Sequence, residues 1–449
     1  MKENFTIKKV IDFNGIRVFV GATVDTLVYV IQKKKPEKDN LIFYNHPLSW
    51  DNIEQGGYKV KQTSLSDDVW NFVNEEMEEI KKWIEKVGKP LKDLDVKIYR
   101  GITTGFNEAF VIDEETRKRL IEEDPKSAEL IKPLLRGRDI GRYYVEWDRK
   151  WIIIIPAGFT KNLIGKNVPL EEAENFFKNE YLSTYSHFEQ FKNVESGRGK
   201  GLVNRDDQGD YWWELRPCDY YPEFEKPKIV WKEIAQIPSF YFDKFNFYIL
   251  AKVNMVSYNI NIRILLLLLN SNFLFNYYKK SGILISGGYE FKIHRIEKIP
   301  IRLPKNPKYY ENLANYLLFL HVTEERRQKL KEAIEFFDRQ ITDSLVYELY
   351  FKEKFYEDGL YPEPREYLLE AVSKHLKPIN YDRWSELYWK KQIEGNLTER
   401  EEKEFEKLEK ENIKTVEGVY KALKEDVKIK ELIEKIKSHE WVKVIEGKG

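Results

Sequence analysis

The pattern of hydrophobic residues changes near Pro304, and this change restricts the folds that the chain can adopt. Residues 96 to about 304 combine aromatic and β-branched residues with turn residues, whereas 309–350 and about 365–440 are rich in Glu, Lys and Leu at helical spacing. The first pattern is typical of short strands with intervening helices, and the second of amphipathic helices. The sequence therefore predicts an α+β domain with a mixed or antiparallel sheet, followed by a helical C-terminal region.

Local patterns predict the individual elements. Two β-rich runs, 16–20 and 24–31, are joined by Gly21-Ala22, and residues 69–87 have apolar positions at helical spacing. Further elements are predicted as strands at 96–99, 151–155, 229–231 and 245–249, as helices at 115–123 and 170–179, and as one buried helix over 259–280.

Composition excludes several classes of protein. The 449 residues carry 75 basic and 75 acidic side chains, so bulk positive charge does not hold this chain to nucleic acid. The single Cys218 excludes a disulfide scaffold and a zinc site built on several thiolates. The longest apolar run, 264–269, is far shorter than the roughly 20 residues that span a bilayer. These features predict a cytoplasmic protein without membrane contact.

No catalytic centre can be assembled from the sequence. Phosphate-loop and dinucleotide-binding glycine motifs are absent, and the six histidines show no metal-ligand spacing. The glycine-rich run 196–201 contains Arg198 and Lys200, which suit a phosphate-contacting loop better than a nucleotide site. We therefore expect no metal and no catalytic residue in this chain.

The first motif with functional content is the loop 99–110, Tyr-Arg-Gly-Ile-Thr-Thr-Gly-Phe-Asn-Glu-Ala-Phe. Its glycines, together with the hydroxyl groups of Thr103 and Thr104, could offer donors to a phosphate or a base edge. The alternative is a turn whose glycines adopt positive φ.

The second motif is 131–143, in which Arg136, Arg138 and Arg142 surround Asp139 and give residues 136–142 a net charge of +2. Arginine forks suit guanine or phosphate. The alternative is an ion pair between arginine and Asp139 that fixes the loop.

The third motif follows a helix that ends at Asn270-Ser271. Residues 277–302 carry a net charge of +4, and aromatic residues alternate with Lys280, Lys292 and Arg295. Interleaved bases and aromatics are typical of nucleic-acid surfaces. A solvated helix end over an aromatic core is the competing interpretation.

In this order the motifs resemble the target-recognition (specificity) domain of TaqI-like adenine-N6 DNA methyltransferases. That domain also forms the C-terminal part of type IIG restriction–modification enzymes and of related phage-defence methyltransferases. The resemblance covers about residues 7–350. It is carried by G-x-[ST]-T-G-x-N-x-A-F-x-[IV], [IV]-K-P-x-L-[RK]-G-[RK]-D-I, K-P-K-I at 226–229, L-L-x-x-L-N-S, I-P-I, and D-R-x-I-x-x-x-x-V-Y-E-L-Y at 338–350.

The resemblance implies a division of the chain into four parts. Residues 1–40 would be the terminal strands of a truncated methyltransferase domain, 41–95 a helical connector, 96–305 the target-recognition domain and 306–449 a helical C-terminal region. In this family an aromatic residue before the final strand stacks on the flipped adenine, and Phe19 occupies that position. The alternative is a core phenylalanine in a hairpin.

The family's S-adenosylmethionine loop and its [ND]-P-P-[YF] tetrapeptide do not occur, and 306–309 reads Asn-Pro-Lys-Tyr. The resemblance therefore implies a specificity subunit, or the C-terminal half of a split adenine-specific methyltransferase. Such a chain would bind double-stranded DNA and dock on a catalytic chain that carries S-adenosylmethionine, completing that chain's sheet with residues 7–35.

The residues expected at the DNA are those of the three motifs and the glycine-rich run: Thr103, Thr104, Arg136, Arg138, Arg142, Arg198, Lys200, Lys280, Lys292 and Arg295. Three alternatives remain open at this stage. The chain could be a nuclease, a protein–protein adaptor that uses its helical C-terminus, or a nonfunctional remnant of a type IIG enzyme.

Overall fold

The structure is a computed structural model that describes residues 2–13, 16, 18–19, 21, 26–47, 49–53, 56–65, 70, 72, 75–196, 199–251, 253–258, 260–281, 284–285 and 288–447. About half of the chain is helical and a smaller part is strand, in several small sheets. The predicted α+β class is confirmed.

The N-terminal residues form a four-stranded sheet in the order β2-β1-β3-β4. β1 pairs antiparallel with β2 and parallel with β3, and β3 pairs antiparallel with β4. The strands are β1 (Thr6–Asp12), β2 (Leu27–Gln32), β3 (Leu41–Asn45) and β4 (Tyr58–Lys61). A small core of its own, made by Ile7, Val10, Ile42 and Leu65, lies beneath this sheet.

Two predictions for this region are wrong. The first strand is β1 and not 16–20, of which the described residues lie outside any strand. The reason is tertiary pairing, since β1 has a partner on both edges and this outweighs local β propensity. Residues 41–61, expected in a helical connector, supply β3 and β4, and among the described residues of 41–95 the only α-helix is α1 (Glu75–Val87).

The middle of the chain folds as an α+β unit. Its strands are β5 (Lys89–Pro90), β6 (Val96–Arg100), β7 (Val111–Ile112), β8 (Ile131–Leu135), β9 (Trp151–Ile153), β10 (Glu195–Ser196), β11 (Gly199–Lys200), β12 (Lys228–Lys232), β13 (Ile234–Ala235), β14 (Phe240–Asp243), β15 (Tyr248–Ile249), β16 (Val253–Tyr258), β17 (Leu284–Ile285), β18 (Gly288–Glu290) and β19 (Pro300–Ile301). Its helices are α2 (Asn107–Phe110), α3 (Glu114–Glu123), α4 (Phe159–Ile164), α5 (Leu170–Glu180), α6 (Leu182–Glu189), α7 (Ile262–Asn270), α8 (Asn272–Ser281) and α9 (Ile293–Ile296).

The sheets of this unit are antiparallel or mixed, as predicted. One sheet has the antiparallel order β14-β12-β16-β6. A second has the order β15-β8-β9-β7, in which only β15 and β8 run parallel. A third, β13-β18-β17, is antiparallel.

The single helix predicted over 259–280 is two helices, α7 and α8, separated at Ser271. Ser271 has extended backbone dihedrals, its hydroxyl donates to the carbonyl of Leu268 at 2.7 Å, and it accepts from the amide of Leu274 at 3.2 Å. The side chain thus ends one helix and begins the next, in the manner of a capping serine.

After Pro304 the described chain is helical. The helices are α10 (Pro307–His321), α11 (Glu324–Lys329), α12 (Lys331–Glu335), the π-helix Phe336–Thr342, α13 (Asp343–Glu357), α14 (Tyr367–Ser373), α15 (Tyr381–Glu394), α16 (Glu399–Glu425), α17 (Val427–Ser438) and α18 (Glu440–Glu446). One continuous apolar core, from Met77 to Ile445, joins these helices to the α+β unit. The predicted helical C-terminal region is confirmed, and it packs on the unit that precedes it.

Candidate nucleic-acid interface

The loop 99–110 is a tightly packed turn. A side chain at Gly101 would place its Cβ 2.1 Å from the carbonyl oxygen of Leu250, so only glycine fits this approach. The hydroxyl of Thr104 is buried and donates to Asn107 at 2.6 Å, and the guanidinium of Arg205 donates to the carbonyl of Thr104. The hydroxyl group of Thr104 is therefore used within the loop. Thr103 remains partly exposed.

The arginine-rich motif begins with a local ion pair. Asp139 accepts from the backbone amide of Arg136 at 2.7 Å and from its guanidinium at 2.8 and 3.0 Å. Arg136 also contacts Asp148 at 2.7 Å and is only 16% exposed. The ion pair considered from the sequence is thus present. It fixes a short 3₁₀ turn, Gly137–Asp139, and leaves Arg138 at the tip with 72% exposure.

The third arginine of this motif is buried. Arg142 is 6% exposed and pairs with Asp338 of the π-helix at 2.6 Å. Its Nε and Nη1 atoms have no hydrogen-bond partner among the described residues. The pair links the α+β unit to the C-terminal helices, because Asp338 lies 196 residues further along the chain. In this arrangement the guanidinium of Arg142 is not accessible to a duplex.

A cleft of about 450 Å³ opens beside Arg138, and we call it the Arg138 cleft. One wall is the turn that carries Arg138, and another is the end of β12 with Lys232, followed by β13 and the loop to Ser239. Gly137 packs against the side chains of Lys232 and Val253, and the amide of Gly101 donates to the carbonyl of Val253 at 2.9 Å. The first two motifs therefore meet at β16, next to this cleft.

The third motif lies on the neighbouring sheet. Its strand β18 pairs with β13, and the amide of Phe291 donates to the carbonyl of Glu233 at 2.6 Å. Lys292 is 41% exposed and contacts Glu290 at 3.0 Å, while Arg295 is half-buried beside His294. Arg198 lies outside the described residues, and so do the side chains of Lys200 and Lys280.

Two residues of the family-like motifs are structural. Lys228 of the K-P-K-I segment is fully buried and pairs with the equally buried Asp243 at 2.5 Å. Asn270 of the L-L-x-x-L-N-S segment is also buried, and its amide both accepts from and donates to the backbone of Phe240, at 3.1 and 2.9 Å. For Asn270, a polar residue directly after an apolar run was the available signal for a buried hydrogen-bonding role.

The predicted base-stacking residue, Phe19, is 54% exposed and packs in no core. The nearby strand β2 is exposed along its whole length, including Leu27, Val28 and Val30. β2 ends its sheet, so its outer edge has no neighbouring strand among the described residues. An apolar strand with a free edge is suited to pairing with another chain.

The buried His321 predicts a dependence of stability on pH. Burial lowers the pKa of His321 from 6.5 to about 4, and its Nδ1–H donates to the carbonyl of Leu317 at 2.7 Å. Because the folded pKa is below the unfolded one, stability is complete above pH 6.5 and is lost as the pH falls toward 4. Lowering the pH from 7.5 to 5 should therefore reduce the free energy of unfolding by about 2 kcal/mol through this histidine.

The measurement is thermal unfolding of the wild type and of His321→Gln at both pH values. Other titrating groups are common to the two proteins, so their effects cancel in the comparison. On acidification the melting temperature of the wild type should fall further than that of the variant. Equal losses would contradict the assignment.

The described residues contain no group of three or more His, Cys, Asp or Glu side chains that could hold a metal ion. None of the helices that the structure describes is both long and apolar enough to cross a membrane.

Comparison with known families supports the resemblance inferred from the sequence. Residues 132–301 match the family model of the TaqI-like C-terminal specificity domain. This segment contains Arg136, Arg138 and Lys292, together with the walls of the Arg138 cleft. The predicted relationship to that specificity domain is confirmed for this part of the chain.

Two solved structures from restriction–modification systems are similar to the chain. The type IIL restriction–modification enzyme MmeI, solved in complex with DNA, has a TM-score of 0.42 and 10% identity, over 81% of this chain and 44% of that one. The type IIG restriction endonuclease BpuSI has a TM-score of 0.35 and 14% identity, over 78% and 44%. The chain thus spans less than half the length of either enzyme. No curated protein matches it significantly.

Proposed function

We propose that this chain recognises double-stranded DNA for a restriction–modification system. The match of residues 132–301 to a specificity domain is the observation that carries this proposal. The exposed Arg138 and Lys292 lie on elements that meet around the Arg138 cleft, as expected for a duplex-binding face. The buried Thr104 and Arg142 and the paired Arg136 would instead support that face from within.

The test is fluorescence anisotropy with a labelled 30-base-pair duplex at two salt concentrations. Because phosphate contacts release counterions, the affinity of the wild type should fall steeply between about 50 and 200 mM salt. Arg138→Ala should weaken binding several-fold at low salt and reduce the slope of log affinity against log salt by about 1. Arg365→Ala is the matched control, because Arg365 is similarly exposed and lies in the loop before α14.

Wild-type protein that binds no duplex at low salt would overturn the proposal. Binding that Arg138→Ala leaves unchanged would remove Arg138 from the interface and would leave the recognition function standing.

The finer proposal is that the chain acts with a catalytic chain that carries S-adenosylmethionine. The two would form a cytoplasmic adenine-N6 methyltransferase of phage defence. The free edge of β2 would extend the sheet of the catalytic chain through backbone hydrogen bonds. Phe19, an exposed residue N-terminal to β2, would then stack on the adenine that the enzyme flips out of the duplex.

This proposal predicts an effect of charge at the sheet edge. Val30→Lys should abolish methyl transfer reconstituted with the protein encoded immediately upstream, because lysine on an edge strand opposes pairing with another strand. Duplex binding by the variant alone should be unchanged. Val427→Lys is the matched control, since Val427 is 66% exposed and lies on a C-terminal helix. Full methyl transfer by Val30→Lys would contradict docking through β2.

The adaptor alternative has one structural observation in its favour. α15 and α16 form an antiparallel hairpin, in which Lys390 contacts Glu401 at 2.7 Å and Arg383 contacts Glu404 at 2.9 Å. The apolar sides of both helices pack into the common core, however, and the remaining faces are charged. The hairpin is thus explained as part of the fold.

A further inference from the structure

Lys232 of the Arg138 cleft has no ion pair with a carboxylate among the described residues. It stands at the end of β12, half-buried, and the residues around it desolvate its ammonium group. Burial lowers the pKa of the Lys232 ammonium group, because desolvation disfavours its charged form. Burying an ammonium group without an anionic partner is unfavourable, and a bound anion would offset that cost in free energy.

The carboxylates that line the cleft are already engaged. Asp139 holds Arg136, and Glu146 pairs with Arg327 of α11. Arg142 lines the same cleft, nine-tenths buried, with two guanidinium nitrogens that have no hydrogen-bond partner among the described residues. Among the described residues, the carboxylates of the cleft thus leave Lys232 without an ion pair, whereas Arg142 is paired with Asp338 and Arg138 contacts Asp139 and Asp148.

The rim of the cleft has a different chemistry. Ile234 and Ile237 are 44% and 48% exposed, and Gln236 is exposed between them. The pairing of β13 with β18 holds this short segment in place. An exposed amide beside exposed apolar side chains matches a base edge, since glutamine pairs with adenine and apolar groups contact the thymine methyl.

We infer that the Arg138 cleft seats the DNA duplex, with Lys232 holding a backbone phosphate and Gln236 reading a base edge. This inference rests on the proposed function and names residues that the sequence motifs did not single out. The duplex is favoured over a free nucleotide because the residues that line the cleft lie within 132–301, which matches a specificity domain, and because Gln236 lies on the exposed rim of the cleft. Phosphate contact and base readout are separate tasks at a DNA interface.

The two residues should give different defects. Lys232→Gln should lower affinity for a mixed-sequence 30-base-pair duplex about 3- to 10-fold at low salt and reduce the salt slope by about 0.9, for every sequence alike. Gln236→Leu should leave affinity for the mixed-sequence duplex within about twofold. When bound duplexes are selected from a randomised pool, Gln236→Leu should lose about 5- to 150-fold of preference at an adenine position. Lys430→Gln, at an exposed lysine of α17, is the control for lost charge.

The outcomes separate this inference from the function on which it rests. A wild type that binds no duplex overturns both. If the wild type binds the duplex but Lys232→Gln has the same affinity and salt slope as Lys430→Gln, the phosphate contact alone is overturned. An unchanged selected sequence with Gln236→Leu overturns the base contact. Circular dichroism and thermal melting of each variant exclude loss of folding as the cause.

Discussion

Replacing Arg142 by methionine is expected to destabilise the protein by about 3–5 kcal/mol, since this leaves the buried carboxylate of Asp338 without its counterion. Both side chains are 6% exposed, and the pair joins the arginine-rich turn to the π-helix. Among the described residues, Asp338 then keeps a longer contact to Arg339, at 3.6 Å. The measurement is the denaturant midpoint of unfolding in wild type and variant.

Removing both charges should cost less than removing one. In Arg142→Met/Asp338→Leu no buried charge is left unpaired, and apolar replacements of buried pairs are often close to neutral. The double variant should therefore unfold at a higher denaturant concentration than Arg142→Met. Arg365→Met, at an exposed arginine, should leave the midpoint unchanged. An Arg142→Met protein as stable as the wild type would contradict a structural role for this arginine.

The second large effect is expected at Asp243. Asp243 and Lys228 are both fully buried and face each other across β12 and β14. Asp243 also accepts from the amides of Phe245 and Phe247 at 2.8 and 3.2 Å, and Lys228 donates to the carbonyl of Phe224 at 2.6 Å. Asp243→Ala should cost about 3–5 kcal/mol, because the ammonium group of Lys228 stays buried and unpaired.

Thermal melting of Asp243→Ala, Lys228→Met and the double variant Lys228→Met/Asp243→Leu gives the check. Both single variants should melt well below the wild type, and the double variant should recover part of the loss. Additive losses in the double variant would show that the two charges do not depend on each other, contrary to the geometry.

The sequence predicted those elements in which the spacing of apolar residues follows the buried face of the element itself. The strand at 96–99, the helices at 115–123 and 170–179 and the helical C-terminus occur close to the predicted places. The N-terminal strands were harder to predict, because the position of β1 is determined by its pairing with β2 and β3 on its two edges. The break at Ser271 depends on a side-chain cap in the short polar stretch between two apolar segments. Helical periodicity alone does not indicate such a cap.

The candidate site was predictable in outline only. Motif order indicated the specificity domain, and residues 132–301 match it. Motif order could not separate the exposed Arg138 from the buried Arg142, because Arg142 is buried against Asp338, which lies 196 residues further along the chain. Lys232 was missed because the cleft around it is formed by two separate segments, 138–146 and 232–239, and no local sequence pattern marks a half-buried charge.

Recognition of a particular DNA sequence by this chain can be measured by incubating the protein with a pool of randomised duplexes at near-physiological salt and sequencing the bound fraction over successive rounds. A specificity domain should enrich one motif, because correct base contacts are each worth about 1–3 kcal/mol against a mismatch. Salt-sensitive binding that enriches no motif would contradict the claim.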